Sequence, residues 1–291
     1  MRTIQKVRHR QAGVNGLEIF FREAGRPDRP AVLLLHGFPS SSHTFRELMP
    51  TLADVAYVIA PDLPGFGMSS SPTVDEYDYT FENFSCVVEE LLDQLGVESF
   101  FVYLHDFGAP VGYHLATRYP DRIRGLIVQS GNAHAEGLGE QWDSARAYWA
   151  DPSDDTRAAL PQWLNFAGTR DQYLAGLPEH LRTLHPPESW HLDWERMRRP
   201  GNVDAQFALF GDYAGHVARF DEIAGYHRAH QPPALVLWGR HDAYFDVGEV
   251  LAYHRVLERM DAHIYDGGHF LLETHAAECA ELMRAFVRDN A

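Results

Sequence analysis

Phe100-Phe101-Val102-Tyr103-Leu104-His105-Asp106-Phe107-Gly108-Ala109-Pro110-Val111-Gly112 decides how the whole chain is read. It begins as an unbroken apolar run, the composition of a strand buried on both faces, then breaks at one acidic residue and turns at once into a helix. Gly108 and Ala109 are small enough to let strand and helix approach closely. A strand-to-helix turn this sharp lifts the side chain at its apex clear of both elements, which is how an exposed nucleophile is presented. The serine form of such an elbow, G-x-S-x-G, occurs nowhere in the sequence, and Asp106 holds the apex. Taken alone, an Asp after a strand is more often a helix N-cap.

The change from hydroxyl to carboxylate carries chemical information. A serine attacking a tetrahedral carbon would form an ether that water does not readily cleave, whereas a carboxylate forms an ester that a second step can hydrolyse. Asp106 therefore points to substrates with an electrophilic sp3 carbon. The second step needs a base to activate water, and the base needs a partner to hold its tautomer. His269 follows two glycines in Asp266-Gly267-Gly268-His269-Phe270, and Asp242 follows Gly239-Arg240-His241. Both come directly after short apolar runs, at the ends of parallel strands where such folds bind ligands.

Working outward, Arg8 to Val14 and Leu17 to Ala24 read as two strands joined at Asn15-Gly16, a two-residue hairpin signal, and predict an antiparallel edge. Ala31 to Leu35 and Tyr57 to Ala60 are further strands, with helices over Ser42 to Ala53 and Phe81 to Leu95. Ile123 to Val128 is a strand after the elbow helix. This alternation predicts a mostly parallel, doubly wound sheet with helices on both faces. Between residues 133 and 230 the β-branched runs vanish, and the segment holds Trp142, Trp149, Trp163, Trp190 and Trp194, five of the six tryptophans. It reads as helical, with breaks at Pro186-Pro187 and Pro200-Gly201. The sheet resumes with Ala234 to Trp238, a helix over Val247 to Leu257, a strand over Ala262 to Tyr265 and a last helix over Phe270 to Asp289.

Composition bounds the function. At 291 residues, 45% hydrophobic and 23% charged, the chain is of ordinary globular make-up. The formal charge of -16 without a basic cluster argues against nucleic-acid or anionic-membrane partners. The apolar runs are too short to span a bilayer, and Met1 to Gln11 is too polar for a signal peptide, so a cytoplasmic location is expected. Cys86 and Cys279 make no disulfide framework, and the sequon at Asn83 then carries no meaning. No metal-binding motif accompanies the 17 histidines, and neither a metal nor any other cofactor is expected.

The elbow, the loop His36-Gly37-Phe38-Pro39, the loop from Asp62 to Ser69 and the order Asp106, Asp242, His269 together resemble the aspartate-nucleophile branch of the α/β-hydrolase superfamily, which contains epoxide hydrolases and haloalkane or haloacid dehalogenases. The resemblance implies an α/β-hydrolase fold in which residues 1–132 and 231–291 form the core and 133–230 an inserted helical cap. It implies an oxyanion hole from the backbone N–H groups of Phe38 and Phe107, a cis peptide before Pro39, and a pocket that includes His36, Phe38, Phe107 and Trp149. Two positions depart from the pattern: Leu104 stands where a small residue is usual, and Phe107 where many relatives have Trp. His105 is expected to pack beneath the elbow.

The branch divides by leaving group. A halide needs N–H donors beside the nucleophile or in the cap, and an epoxide oxygen needs an acid, usually a cap tyrosine. Phe107 and Phe38 have no side-chain donor. Fluoroacetate-type dehalogenases follow the nucleophile with arginine and place another three residues on, where this chain has Phe107 and Pro110. Tyr213, twenty residues before Pro233, matches the spacing of the cap tyrosine and is the expected general acid. Tyr148 falls near the place of a second tyrosine but one helical turn late, with Ala145 at that place. The expectation is a hydrolase turning a small apolar epoxide into a diol, as a monomer or homodimer with water as the only other reactant. An organohalide dehalogenase, with Trp149 cradling halide, is the alternative, and a ligand-binding protein on a hydrolase scaffold a more distant one.

Overall fold

Among residues 5–160 and 163–291, which the computed structural model describes, the strands are β1 (Arg8–Val14), β2 (Leu17–Ala24), β3 (Ala31–Leu35), β4 (Tyr57–Pro61), β5 (Phe100–His105), β6 (Ile123–Gln129), β7 (Ala234–Gly239) and β8 (Met260–Tyr265). They form one sheet in the order β1-β2-β4-β3-β5-β6-β7-β8. β1 and β2 pair antiparallel through Asn15 and Gly16, both at positive φ as the tight turn requires. β2 meets β4 antiparallel, and every pairing from β4 to β8 is parallel.

The continuous apolar runs are explained by two cores, one on each face of the sheet. Leu33, Leu35, Val102 and Leu104 face one core, while Val32, Leu34, Phe101 and Tyr103 face the other, the alternation a pleated strand imposes. Helices α1 (Leu48–Leu52) and the C-terminal helix cover the second face; α2 (Phe81–Gln94) and α3 (Gly108–Arg118) cover the first. The helix expected over Ser42 to Ala53 is instead a 3-10 turn at Ser42–Phe45 followed by α1. Pro50 is the reason: it has no N–H to donate and fits only in a helix's first turn, so the helix starts at Leu48.

Among the described residues the α-helices between β6 and β7 are α4 (Asp143–Ala150), α5 (Asp154–Ala158), α6 (Phe166–Leu174), α7 (Glu179–Arg182), α8 (Pro187–Met197), α9 (Asn202–Ala218) and α10 (Phe220–His230). The chain then closes with α11 (Gly248–Val256) and α12 (Leu272–Asn290). The inserted helices are tied to the strand-end loops by backbone-directed bonds. Asp212 accepts the Phe81 N–H at 2.7 Å, and Arg199 donates to the carbonyls of Gly65 at 2.8 Å and Ser69 at 3.1 Å. No helix among the described residues is long and apolar enough to cross a membrane.

Candidate active site

Asp106 stands at the end of β5 with φ +48°, a left-handed conformation that few residues other than Gly, Asn and Asp tolerate. It is therefore the turn itself, not an N-cap. Its N–H donates to Ser130 O at 3.1 Å and its carbonyl accepts from Ala109 at 2.9 Å, so both neighbouring elements clamp the apex. Gly37 and Gly108 make room. A Cβ on Gly37 would run into the Asp106 side chain, and one on Gly108 would lie 2.5 Å from the Leu35 carbonyl oxygen. Leu104, large where a small residue was anticipated, is accommodated because Gly112 of α3 leaves its side chain a gap.

With Gly37 allowing close approach, the Phe38 N–H donates to Asp106 Oδ1 at 2.6 Å. The Phe38–Pro39 peptide is cis. One carboxylate oxygen thus occupies a backbone cradle and the other is left for chemistry. Asp106 is 7% exposed. Burial raises its pKa above the ordinary carboxylate value, and His269 and the N–H groups of Phe38 and Phe107 oppose that without cancelling it.

The ends of β7 and β8 are joined backbone to backbone. Gly239 has no Cβ to strike the carbonyls of Gly267 and Gly268, and the His241 N–H donates to Gly267 O at 3.0 Å. This brings Asp242 Oδ2 to 3.0 Å from His269 Nδ1, while Asp242 Oδ1 accepts from the N–H groups of Tyr244 at 2.8 Å and Phe245 at 3.1 Å. An acceptor fixed at Nδ1 keeps the proton there and leaves Nε2 as the basic nitrogen, which has no hydrogen-bond partner among the described residues. Burial disfavours the imidazolium, but the charge and hydrogen bond of Asp242, helped by Asp106, outweigh it and raise the His269 pKa above the usual histidine value. His105 packs 4.8 Å from the His269 ring. Burial, with His269 and His36 nearby, depresses its pKa far below the ordinary value, so it stays neutral.

The cavity at Asp106 leaves about 20 Å³ open to the centre of a water molecule, room for about one water. Phe38, Phe107, Phe210 and Phe245 form its wall with the indoles of Trp142 and Trp163; Gln141, Gln172 and Tyr244 add polar groups. Larger clefts exist, such as one of about 550 Å³ bordered by Arg170 and Glu179, but they are open surface grooves that Asp106 does not line.

Of the four residues anticipated in the pocket, Phe38 and Phe107 line it. His36 does not. It is fully buried behind the loop, with Nδ1 donating to Gly37 O at 3.0 Å and Nε2 accepting from the Leu63 N–H at 3.0 Å, so it braces the backbone that carries Phe38. Trp149 does not either: its indole N–H donates to Phe210 O at 2.9 Å. Trp142 lines the cavity, but its N–H is engaged by Tyr244 O at 2.7 Å. Tyr148 is half-buried and off the cavity wall, and Ala145, one turn earlier, is the residue turned to the core.

Tyr213 is fully buried, its ring stacked on Trp142 at 4.8 Å and set 6.0 Å from Phe107, immediately behind the wall. Its hydroxyl has no hydrogen-bond partner among the described residues. Burial pushes the phenol well above its ordinary pKa, the Asp106 charge adds to the rise, and the neighbouring Asn132 side chain acts the other way. Sequence reading missed Gln172, Trp163, Phe210 and Tyr244. The density of tryptophans from residue 142 marked the segment, but nothing marked which side chains would turn inward.

A family model described as alpha/beta hydrolase fold matches residues 30–276. The chain is similar to an uncharacterized hydrolase of Saccharomyces cerevisiae, 36% identical over 280 residues that cover 95% of each protein. It is 42% identical to a haloalkane dehalogenase of Bradyrhizobium diazoefficiens over 117 residues, 40% of this chain and 37% of that one. The epoxide hydrolase CorEH superposes with a TM-score of 0.77 at 21% identity, covering 98% of this chain and 99% of that one, a likeness of fold. Strand order, elbow and matched length together establish that this chain belongs to the α/β-hydrolase superfamily.

Proposed function

We propose that the protein hydrolyses a small epoxide to a diol through a covalent ester on Asp106, without a cofactor. The observation that carries the reading is the seating of Asp106 Oδ1 on the Phe38 N–H at 2.6 Å. That is where the carbonyl oxygen of an aspartyl ester has to lie for its second-step oxyanion to be stabilised. Oδ2 attacks the epoxide carbon, the C–O bond opens, and Tyr213 gives its proton to the departing oxygen. His269 Nε2 then takes a proton from water, whose oxygen adds to Cγ of Asp106. The charge collects on Oδ1 against the N–H groups of Phe38 and Phe107. Cleavage of the ester C–O bond returns the carboxylate and the diol, and the proton on His269 restores Tyr213. Asp242 stabilises the transient imidazolium. In this scheme the helices between β6 and β7 serve as a cap that keeps bulk water from the ester.

The choice of an oxygen leaving group rests on the donors. Phe38 and Phe107 face the cavity with hydrocarbon, and the indole N–H groups of Trp142 and Trp149 are held by backbone carbonyls. One observation favours an organohalide instead: Trp163 lines the cavity and its indole N–H has no partner among the described residues. A panel of epoxides and organohalides, read for diol and halide, separates the two. With a turned-over epoxide, His269→Gln should accumulate protein heavier by the whole substrate mass; an active wild type whose variant never gains mass would sink the two-step scheme.

A further inference from the structure

Gln172 is out of keeping with the wall it belongs to. It lies on α6, is 5% exposed and lines the cavity with Asp106. Yet its carboxamide makes no hydrogen bond to any described residue. Gln141, the other amide there, is engaged: its Nε2 donates to Tyr244 O at 2.7 Å. A carboxamide that opens on a largely apolar cavity with no protein partner is free to meet a polar group of whatever fills the cavity.

The orientation of Gln172 is built in. Asn165 caps α6 by accepting the Gly168 N–H at 2.9 Å. The residue next to Gln172, Tyr173, stacks on Phe270 with ring centroids 3.9 Å apart and planes 12° apart, and donates to Asp193 Oδ2 at 2.5 Å. Phe270 directly follows His269 in the chain. The helix is therefore pinned to the catalytic loop through one residue while its neighbour is turned towards Asp106.

We infer that Gln172 determines specificity by binding a hydroxyl group that the substrate carries beside its reacting carbon. The inference rests on the reaction proposed above. A carboxamide offers two donors and an acceptor, and a hydroxyl can answer both at once, which neither a hydrocarbon nor a halogen can do. The rest of the wall suits a short apolar body. The substrate class is thus a small hydroxylated epoxide rather than a plain alkyl one.

The test compares glycidol with butylene oxide, which has a methyl group where glycidol has its hydroxyl. Binding is measured in Asp106→Asn, whose side chain suits the left-handed backbone and cannot form the ester. Quenching of Trp142 and Trp163 reports occupancy. Glycidol should bind about tenfold more tightly, the scale of one well-made hydrogen bond in a dry site, and adding Gln172→Met should remove that preference. Equal binding of the two epoxides in Asp106→Asn would overturn the proposal even if the double variant failed to fold. So would an equal loss for both on adding Gln172→Met, the mark of a wall or leaving-group role. Wild-type turnover of neither epoxide would defeat the reaction scheme, and the affinity ratio would still decide for or against Gln172.

Discussion

At the scale of single residues, two groups can be tested apart from each other. An opening epoxide leaves a strongly basic oxygen, so a general acid contributes on the order of 10²–10⁴ in rate. Tyr213→Phe keeps the ring stacked on Trp142 and removes only the hydroxyl. Formation of the ester should slow by at least roughly tenfold, while hydrolysis of ester already formed changes little; pre-steady-state kinetics resolves the steps. If the variant alkylates at the wild-type rate, the acid is another group. In the proposed scheme His269 serves the second step and must be neutral to accept a proton. Its pKa is raised above 6.5, so ester hydrolysis should lose rate as pH falls through a midpoint above the ordinary histidine value, falling further as the imidazolium accumulates. Asp242→Asn removes the charge that raises it, and should move the midpoint to lower pH while cutting the plateau steeply; an unmoved midpoint would show that Asp242 does not set it. The placement of Asp106, Asp242 and His269 at strand ends was legible in the sequence because backbone alone fixes position there. His36 and Trp149 were misplaced because membership of a pocket depends on which way a side chain turns, and in a helical segment that follows from packing against distant residues.

The elements show why the elbow tolerates so little change. Gly108 lies against the backbone of β3, with its missing Cβ only 2.5 Å from the Leu35 carbonyl oxygen, whereas the obstacle at Gly112 is the tip of the Leu104 side chain. Backbone cannot step aside as a side-chain methyl can. Gly108→Ala should therefore cost about 1–3 kcal/mol, the range for overpacking, and Gly112→Ala less. Denaturant unfolding ranks the two. The reverse order would mean that strand β3 yields more easily than the packed leucine. Gly108→Ala should also slow both chemical steps, because moving β3 displaces the loop that carries the Phe38 N–H. Strand positions were readable almost to the residue, since apolar runs bounded by turns leave one reading; the two strands of the hairpin fall where the Asn15-Gly16 signal puts them. Helix α1 was not, because its start is set by the tolerance for Pro50 and by loop bonds such as that of the Ser42 N–H to Asp62 at 2.7 Å.

Over the whole molecule, the change of composition near residue 133 marked the inserted helices, because a segment that contributes no strands needs none of the β-branched runs of the sheet. How those helices meet the core was beyond reach, since contacts such as Arg199 with Gly65 or Tyr173 with Phe270 join positions far apart in the chain. These contacts have a kinetic meaning. The space at Asp106 has room for about one water, so the epoxide proposed above, with several carbon atoms, needs a wider opening than this arrangement of the wall offers. If the helices part to admit it, the observed association rate should level off at high substrate concentration at the rate of that opening. Arg199→Ala releases two bonds between the insertion and the loop after β4 and should raise that ceiling, as stopped-flow fluorescence would record. Substrate entry would then be timed by the release of these inter-element bonds rather than by diffusion.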